Sequence, residues 1–452
     1  MHEWNGASRR LEPHALSTYF PPGALPAPCA QDLRRGQRLR LFVYPLPWDY
    51  HGKIVQYVEG KARSLLGVKC DYLREDTCPN TGFSHLENLR SHCPDVPLMA
   101  KLLQSAQIVT DPEQAQVFLV PFLMGCNAML GWGHGMQRVN SAAHHRFFGN
   151  FDRFARESLP HYERWPHRHL FLFPLDSMFS PKWLKRSMVA HTGASYVAKS
   201  SIDVPVPYLV SLPPVTPGAL AGPRERLVFL MASPSRNKVR VEVARQLREA
   251  RKTEGSRVEL YETDPRKENA MPLSAKDTMS RMMGTTFCVA PTGDSDGFTQ
   301  RFYYIIAAGC IPVRVDTYYS DRSFRRVAWP FKQTIQWKKA VLLLPPAKLR
   351  CDGIMATLRN VSTERIVAMQ QYIATIVRPA VLFDYRGAAP DAFSAFLTEL
   401  LHLSKTRLPR LDAGKGKGGG NGKRLAETEA TLSTVARLEK DMAVARHARR
   451  TD

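Results

Sequence analysis

The sequence has no long hydrophobic run, and this shortage limits how it could meet a membrane. No apolar stretch approaches the ~18 residues that a membrane-spanning helix needs. The first twenty residues also contain no apolar core typical of a signal peptide. The sequence therefore predicts either a soluble protein or a protein whose N-terminal membrane anchor lies upstream of residue 1.

Paired-cysteine motifs are absent, which excludes the common zinc ribbons and fingers. The eight cysteines include no Cys-x-x-Cys pair. Cys70, Cys78 and Cys93 lie in a segment rich in turn residues. Two interpretations stay open for them: a disulfide formed in an oxidising compartment, or free buried thiols. Cys288 and Cys310 lie in apolar runs, where they are predicted to pack as small hydrophobic side chains.

Acidic residues are scarce relative to basic ones. The chain has 41 Asp and Glu residues and 63 Lys and Arg residues, which gives a net charge of +22. Such a charge attracts anions, among them nucleic acids, acidic sugars and phosphorylated donors. The basic residues are dispersed and accompany no recognition motif, so a nucleic-acid partner is not predicted. Binding of a polyanion by charge alone stays open as an alternative function.

What is present is a globular composition in which strand-like and helix-like segments alternate. With 452 residues, of which 44% are hydrophobic, the chain is long enough for two or three domains. We predict two Rossmann-like α/β domains that face a cleft, with a disordered basic tail. The predicted boundaries are a flexible arm (1–38), an N-terminal domain (39–205), a linker (206–224), a C-terminal domain with closing helices (225–404) and a low-complexity tail (405–452).

Short apolar runs and helical periodicity predict the individual elements. The predicted strands are 39–47, 115–122, 169–176, 226–231, 258–262, 286–290, 311–315 and 340–345. The predicted helices are 96–106, 145–159, 237–252, 274–284, 299–309, 363–377 and 391–403. The alternation predicts parallel sheets covered by helices on both faces.

The loop between the strand 286–290 and the helix 299–309 carries the strongest chemical signal. Ligands of open α/β sheets bind beyond the carboxyl ends of the strands. Gly293 and Gly297 permit close backbone approach there, and the first amides of the helix together with Arg301 can hold a phosphate. Asp294 and Asp296 offer an alternative, because an Asp-x-Asp pair can hold Mg²⁺ or Mn²⁺ against a diphosphate.

The phosphate cradle is the favoured interpretation, because the helix start already supplies positive potential. Asp296 is then predicted to cap the helix, and Asp294 is predicted to accept a hydrogen bond from a sugar hydroxyl. Arg236 and Arg240, at the start of the helix 237–252, are further candidates for the same anion. A solvated helix face is the alternative for these two side chains.

Several segments, taken in order, resemble the exostosin-type glycosyltransferase family. The strongest is FCVAPTGDSDGFTQRFYYIIAAGCIPV (287–313), which resembles the family's strand, glycine-containing loop, arginine at the helix start and Gly-Cys-Ile-Pro-Val strand. Further matching segments are LFVYPLP (41–47), TDPEQAQVFLVPF (110–122), IDVPVPY (202–208), RLVFLM (226–231) and WPF (329–331) with Trp337. The resemblance extends from about residue 39 to about residue 385.

The resemblance implies an inverting, GT-B-like enzyme of the Golgi that moves a sugar from a nucleotide sugar, first of all a UDP-sugar, to a glycan or glycoprotein. The N-terminal domain would hold the acceptor and the C-terminal domain the donor. No metal or other cofactor is expected, although Mn²⁺ stays open, and membrane association would need an N-terminal anchor that this chain does not show. The predicted donor-binding residues are Gly293, Asp294, Ser295, Thr299, Arg301, Tyr304, Arg236 and Arg240.

Two departures from the family pattern bear on activity. Tyr304 stands where many relatives have an acidic residue suited to the donor's ribose, and the family's Gly-Arg-Asp-His block is reduced to Arg168, His169 and Asp176. Asp176, at the end of the strand 169–176, is predicted as the catalytic base with His169 behind it; a turn or cap role is its alternative. A non-catalytic relative that binds glycan or supports a partner enzyme is therefore the alternative function.

Overall fold

The computed structural model describes residues 38–54, 93–127, 150–173, 186–192, 202–210, 220, 224–233, 238–263, 273, 275–291, 299–315, 329–383 and 391–408. The predicted arm up to residue 37 and the predicted tail from residue 409 onward lie outside these residues. The predicted domain boundaries stay predictions.

The first half of the chain forms a sheet of six parallel strands in the order β2-β1-β3-β4-β5-β6. The strands are β1 (Arg40–Val43), β2 (Gln107–Ile108), β3 (Val117–Val120), β4 (His169–Leu172), β5 (Met188–His191) and β6 (Ile202–Pro205). Strands β3, β4 and β5 are buried along their whole length, as central strands of a sheet covered on both faces must be. β1, β3 and β4 confirm three predicted strands in shorter form, whereas β2, β5 and β6 are not among the predicted strands.

The second half forms a sheet of five parallel strands in the order β11-β10-β9-β7-β8. The strands are β7 (Arg226–Ala232), β8 (Val258–Glu262), β9 (Thr285–Pro291), β10 (Ile311–Val315) and β11 (Leu342–Leu344). β8 and β10 have the predicted bounds, and the other three differ from the prediction by one or two residues at one or both ends. The predicted fold class of two Rossmann-like α/β units is confirmed.

Helices connect and cover the strands of both sheets. They are α1 (Asp95–Ser105), α2 (Phe151–Ser158), α3 (Lys238–Glu254), α4 (Ala275–Met283), α5 (Gln300–Ala307), α6 (Pro346–Cys351), α7 (Ile354–Arg359), α8 (Thr363–Tyr372), α9 (Arg378–Val381) and α10 (Ala392–Thr406). A π-helical turn, Ile373–Val377, links α8 to α9. Within the part of the chain that the structure describes, no helix has the length and apolarity needed to cross a membrane.

The last helix, α10, contacts elements of both halves of the chain. It packs against α1 and β6 of the first half, and Lys101 of α1 lies over the ring of Phe393, 5.9 Å from its centroid. On the other side, Glu399 accepts a hydrogen bond from the backbone N–H of Gln333. The predicted closing helix therefore ties the second half of the chain to the first sheet.

Two disulfides change the prediction for the cysteines. Cys93 is bonded to Cys126, while Cys70 and Cys78 lie outside the described residues. Cys288 and Cys310 are fully buried as predicted, but they are joined to each other with an S–S distance of 2.03 Å instead of packing as free thiols. The register explains the bond: Cys288 on β9 is paired with Pro312 on β10, so Cys310 lies just before the adjacent strand.

Candidate donor site at the switch point of the second sheet

The second sheet has a topological switch point between β7 and β9. From β7 the chain proceeds to β8 on one side, and it then returns past β7 to β9, β10 and β11 on the other side. Because right-handed crossovers that move in opposite directions lie on opposite faces of a sheet, α3 and α5 lie on opposite faces. In open α/β sheets, ligands bind at such a point, outside the carboxyl ends of the strands; we refer to this place between β7 and β9 as the crevice.

Arg240 lies on one side of this crevice, in the first turn of α3. Its side chain is largely buried, and its Nη1 donates to the carbonyl oxygen of Ser233, directly after β7, at 3.5 Å. The bond holds the guanidinium at the carboxyl edge of the sheet. The prediction for Arg240 as a helix-start residue is therefore met in position, and its role in binding stays a prediction.

Arg301 lies on the other side of the crevice, as the second residue of α5. Thr299 is the N-cap of this helix, and its hydroxyl accepts no capping hydrogen bond from the helix amides. No carboxylate among the described residues forms an ion pair with Arg301. The start of α5 thus brings together backbone amides, a hydroxyl and a guanidinium, which are groups that commonly bind anions in proteins.

The two arginines lie close enough to affect one another electrostatically. The pKa of Arg301 is lowered to about 10, first because the side chain is desolvated and second because of the positive charge of Arg240. Both causes disfavour the charged form of the guanidinium. An anion bound between α3 and α5 would favour the charged form of both guanidinium groups, because its negative charge would offset theirs.

Arg314 is a third arginine near the same edge, and the sequence reasoning does not include it. It is the fourth residue of β10, where it is paired with Ala290 of β9. Its buried guanidinium lies 5.4 Å from the ring centroid of Trp329. The signal available in the sequence was a single charge inside the apolar strand IPVRV, since such a charge must be held by polar or aromatic partners.

Tyr304, on the second turn of α5, is buried and turned into the helix packing. Its hydroxyl accepts a hydrogen bond from Nε2 of Gln300 at 3.5 Å, one helical turn earlier. The residue that departs from the family pattern therefore has its polar atom turned toward the first turn of α5. Contact with a donor stays a prediction.

His169 has the environment of a core residue. It begins β4, at the amino end of the strand, where it is fully buried and stacked on Phe118 with 4.9 Å between ring centroids. One ring nitrogen is bonded to the hydroxyl of Tyr44 at 2.7 Å and the other to the carbonyl of Trp165 at 2.8 Å. Burial lowers the pKa of His169 to about 3, so the ring is neutral. These contacts are those of a packed core residue. Because Asp176 lies outside the described residues, the predicted role of His169 behind it stays a prediction.

The remaining predicted site residues lie outside the described part of the chain: Asp176, Arg236, Gly293, Asp294 and Ser295. Their predicted roles stay predictions. The one group of potential metal ligands that the described residues bring together is Cys93, Asp95 and Cys126. Its two sulfur atoms are bonded to each other, so they do not offer the thiolates that a metal site of this kind requires.

Comparison with known proteins identifies one family and several distant solved structures. The model of the Exostosin GT47 domain matches residues 35–360 of this chain. A comparison with curated proteins finds no match. Solved structures include UGT89C1 of Arabidopsis thaliana complexed with quercetin, at 10% identity over 87% of this chain and 95% of that chain, TM-score 0.29. The glycotransferase of kitacinnamycin matches at 11% identity over 89% of this chain and 98% of that chain, with a TM-score of 0.23.

Proposed function

Because the chain belongs to the exostosin GT47 family of glycosyltransferases, we propose that it transfers a sugar from a nucleoside-diphosphate donor to a glycan or glycoprotein acceptor. A UDP-sugar is the first donor to test. The crevice between β7 and β9 holds the diphosphate, and α3 and α5 supply the positive groups on its two sides.

The pairing of Arg240 and Arg301 at the switch point is the observation that carries this proposal. The positive charge of Arg240 disfavours the charged form of Arg301, and an anion bound beside both guanidinium groups would offset their charges. A diphosphate fits this need, because it brings two negative groups and oxygen acceptors that match the fork of an arginine. The amides at the start of α5 add donors for the same oxygens.

The same groups explain how the reaction would be accelerated. In an inverting transfer the bond between the sugar and the diphosphate breaks while an acceptor hydroxyl attacks, and negative charge grows on the leaving diphosphate. Arg240, Arg301 and the start of α5 would stabilise that growing charge. Since these groups supply positive potential, we propose that donor binding needs no metal ion. Asp176 remains our proposed base for the acceptor hydroxyl.

Substitution of Arg301 tests the donor site directly. Arg301→Met keeps a long apolar side chain and removes the guanidinium. We expect it to weaken binding of UDP about ten- to hundredfold, because hydrogen bonds to charged groups contribute roughly 1.5–3 kcal/mol each. Isothermal titration calorimetry with UDP and GDP, with and without EDTA, measures this effect and the need for metal.

Arg251→Met is the matched control, since Arg251 is an exposed arginine of α3 and lies far along that helix from the crevice. It should leave UDP binding unchanged. Equal affinity of Arg301→Met and the unmodified protein would contradict the proposed site. Loss of UDP binding on addition of EDTA, with recovery on addition of Mn²⁺, would show that a metal is required instead.

Tyr304 is the feature that favours the alternative function of a non-catalytic relative. A buried tyrosine whose hydroxyl is hydrogen-bonded within its own helix is less suited than a carboxylate to binding the ribose of a nucleotide sugar. Release of UDP from a panel of UDP-sugars, with and without glycan acceptors, separates the two functions. Saturable UDP binding without any turnover would support the non-catalytic alternative.

The disulfides bear on the compartment. Cys93–Cys126 and Cys288–Cys310 are the kind of bond that forms in oxidising compartments, and Asn360, the acceptor of the only N-glycosylation motif, is exposed at the end of α7. Both observations support our proposal of a Golgi protein. Colocalisation of the tagged full-length protein with a Golgi marker would test it.

A further inference from the structure

Arg224 donates four hydrogen bonds to backbone carbonyls. Its Nη1 donates to Met282 at 3.2 Å and to Thr285 at 3.0 Å. Its Nη2 donates to Leu220 at 2.8 Å and to Gly309 at 2.9 Å. No described carboxylate pairs with this guanidinium, and burial lowers its pKa to about 10. Among the described residues, carbonyl groups therefore hold this side chain.

The four carbonyls belong to four different parts of the fold. Leu220 and Arg224 itself lie in the segment that connects β6 of the first sheet to β7 of the second. Met282 lies at the end of α4, Thr285 begins β9, and Gly309 follows α5. One side chain thus fastens the connecting segment to both ends of the β9–α5 unit.

The carboxyl end of α5 has further anchors, whereas its amino end carries Arg301. Nε of Arg378 donates to the carbonyl of Ala307 at 3.0 Å, and the disulfide of Cys310 follows directly. Gly309 adopts a φ of +66°, and a Cβ built on it would lie 3.1 Å from Nη2 of Arg224. The absence of a side chain at Gly309 therefore leaves room for the guanidinium of Arg224.

We propose that Arg224 is a positioning residue for the donor. It fixes the end of α5 against the segment between the two sheets and so places Arg301 at the crevice between β7 and β9. This inference rests on the proposed function, because it assumes that Arg301 binds the diphosphate. The consequence is that the connecting segment and the donor helix move as one unit, so a displacement of that segment reaches the diphosphate site.

Arginine is the side chain that this role requires. Its planar group presents several N–H donors in fixed directions, whereas the ammonium group of lysine is compact and offers three. Arg224→Lys should keep part of the contacts, and Arg224→Met should remove all of them while filling a similar volume. Each variant leaves some of the four carbonyls without their donor, and α5 should become more mobile.

The test combines UDP binding with hydrogen exchange. We expect Arg224→Met to weaken UDP binding about tenfold, Arg224→Lys to weaken it less, and both to speed amide exchange in 300–309. Arg168→Met is the matched control, because Arg168 makes the same kind of bond in the first sheet, from Nη1 to the carbonyl of Ala115 at 2.9 Å. It should affect neither measurement.

A double-mutant cycle with Arg301→Met separates positioning from a general loss of stability. If Arg224 acts through Arg301, the loss caused by Arg224→Met disappears in the Arg301→Met background. An equal loss in both backgrounds, or an effect of Arg224→Met and Arg224→Lys no larger than that of Arg168→Met, would overturn the inference. If Arg301→Met itself leaves UDP binding unchanged, the proposed function fails first. Should Arg224→Met not fold, the cycle with Arg224→Lys decides.

Discussion

Gly309 shows how a single residue can be fixed by backbone geometry. It ends α5 with a φ of +66°. Its N–H donates to Ile306 at 2.9 Å, and the N–H of Cys310 donates to Ile305 at 3.1 Å. These two bonds form the Schellman motif that closes many helices, in which glycine is preferred because it has no Cβ.

We predict that Gly309→Ala destabilises the protein more than Gly255→Ala does. Both glycines have positive φ, so an alanine costs roughly 1–2 kcal/mol of backbone strain at either position. At Gly255 a Cβ would meet nothing within 4 Å, whereas at Gly309 it would lie 3.1 Å from Arg224 and 3.1 Å from Leu220. The crowding should add about 1–3 kcal/mol.

Urea denaturation of the two variants measures this difference. Equal midpoints for Gly309→Ala and Gly255→Ala would show that Arg224 and Leu220 move aside without cost. A second measurement, the affinity for UDP, should fall only for Gly309→Ala, because only this glycine lies at the end of the donor helix.

Single residues also show where sequence reasoning ends. Arg301 and Arg240 could be placed at helix starts because apolar periodicity fixes where α5 and α3 begin. Arg224 could not be recognised, since its acceptors lie up to 85 positions away from it in the sequence. His169 was predicted behind a catalytic carboxylate, and that role stays a prediction. It lies in an aromatic core with Phe118, Tyr44 and Trp165, which come from distant segments of the chain.

At the scale of the element, a disulfide bond closes the β9–α5–β10 unit. The disulfide Cys288–Cys310 spans 22 positions, and the ring it forms contains the end of β9, residues 292–298 and all of α5. Such a bond restricts the unfolded chain, and the chain-entropy estimate for a ring of this size is about 3 kcal/mol. The bond therefore stabilises the unit that carries Arg301.

We predict that the double variant Cys288→Ala, Cys310→Ala loses about 3 kcal/mol in free energy of unfolding. Cys351→Ala is the control, because Cys351 is an exposed free cysteine and should be silent. Chemical denaturation without a reducing agent checks both, since a reducing agent would also open the Cys93–Cys126 disulfide. A double variant as stable as Cys351→Ala would contradict the stabilising role.

Elements were predicted best where continuous apolar runs are bounded by turns, as at β8 and β10. The four residues of β5, Met188–His191, are too few and too mixed to give a period, and they become a strand because β4 and β6 lie on both sides. The helix predicted over 363–377 is one helix in outline, but it passes into a π-helical turn at Ile373. Sequence periodicity does not distinguish these two kinds of turn.

At the scale of the whole molecule, three buried histidines and one buried aspartate with shifted pKa values lie around the first sheet. Burial lowers the pKa of His51 to about 4 and the pKa values of His169 and His191 to about 3. Burial raises the pKa of Asp95, at the start of α1, to about 7. All four residues belong to the first half of the chain, around the first sheet.

These shifts predict that acid destabilises the first sheet. The unfolded histidines bind protons below pH ~6.5 while the folded ones do not, so their stabilising contribution is present above that pH and is lost as the pH falls. Asp95 acts in the opposite direction, because its folded form holds a proton up to about pH 7. Three histidines outweigh one carboxyl, and the free energy of unfolding should fall by roughly 1–3 kcal/mol per unit between about pH 6 and pH 4.5.

Hydrogen exchange at pH 7 and pH 5, corrected for intrinsic rates, shows which sheet responds. The amides of β3, β4 and β5 should lose protection before those of β7, β9 and β10, because the groups that gain protons on unfolding surround the first sheet. His191→Asn should flatten the pH dependence, since it removes one of these groups from the end of β5. Asp95→Asn should steepen it, since it removes the opposing one. Earlier loss of protection in the second sheet, or identical pH slopes for the two variants, would show that other groups govern the acid response.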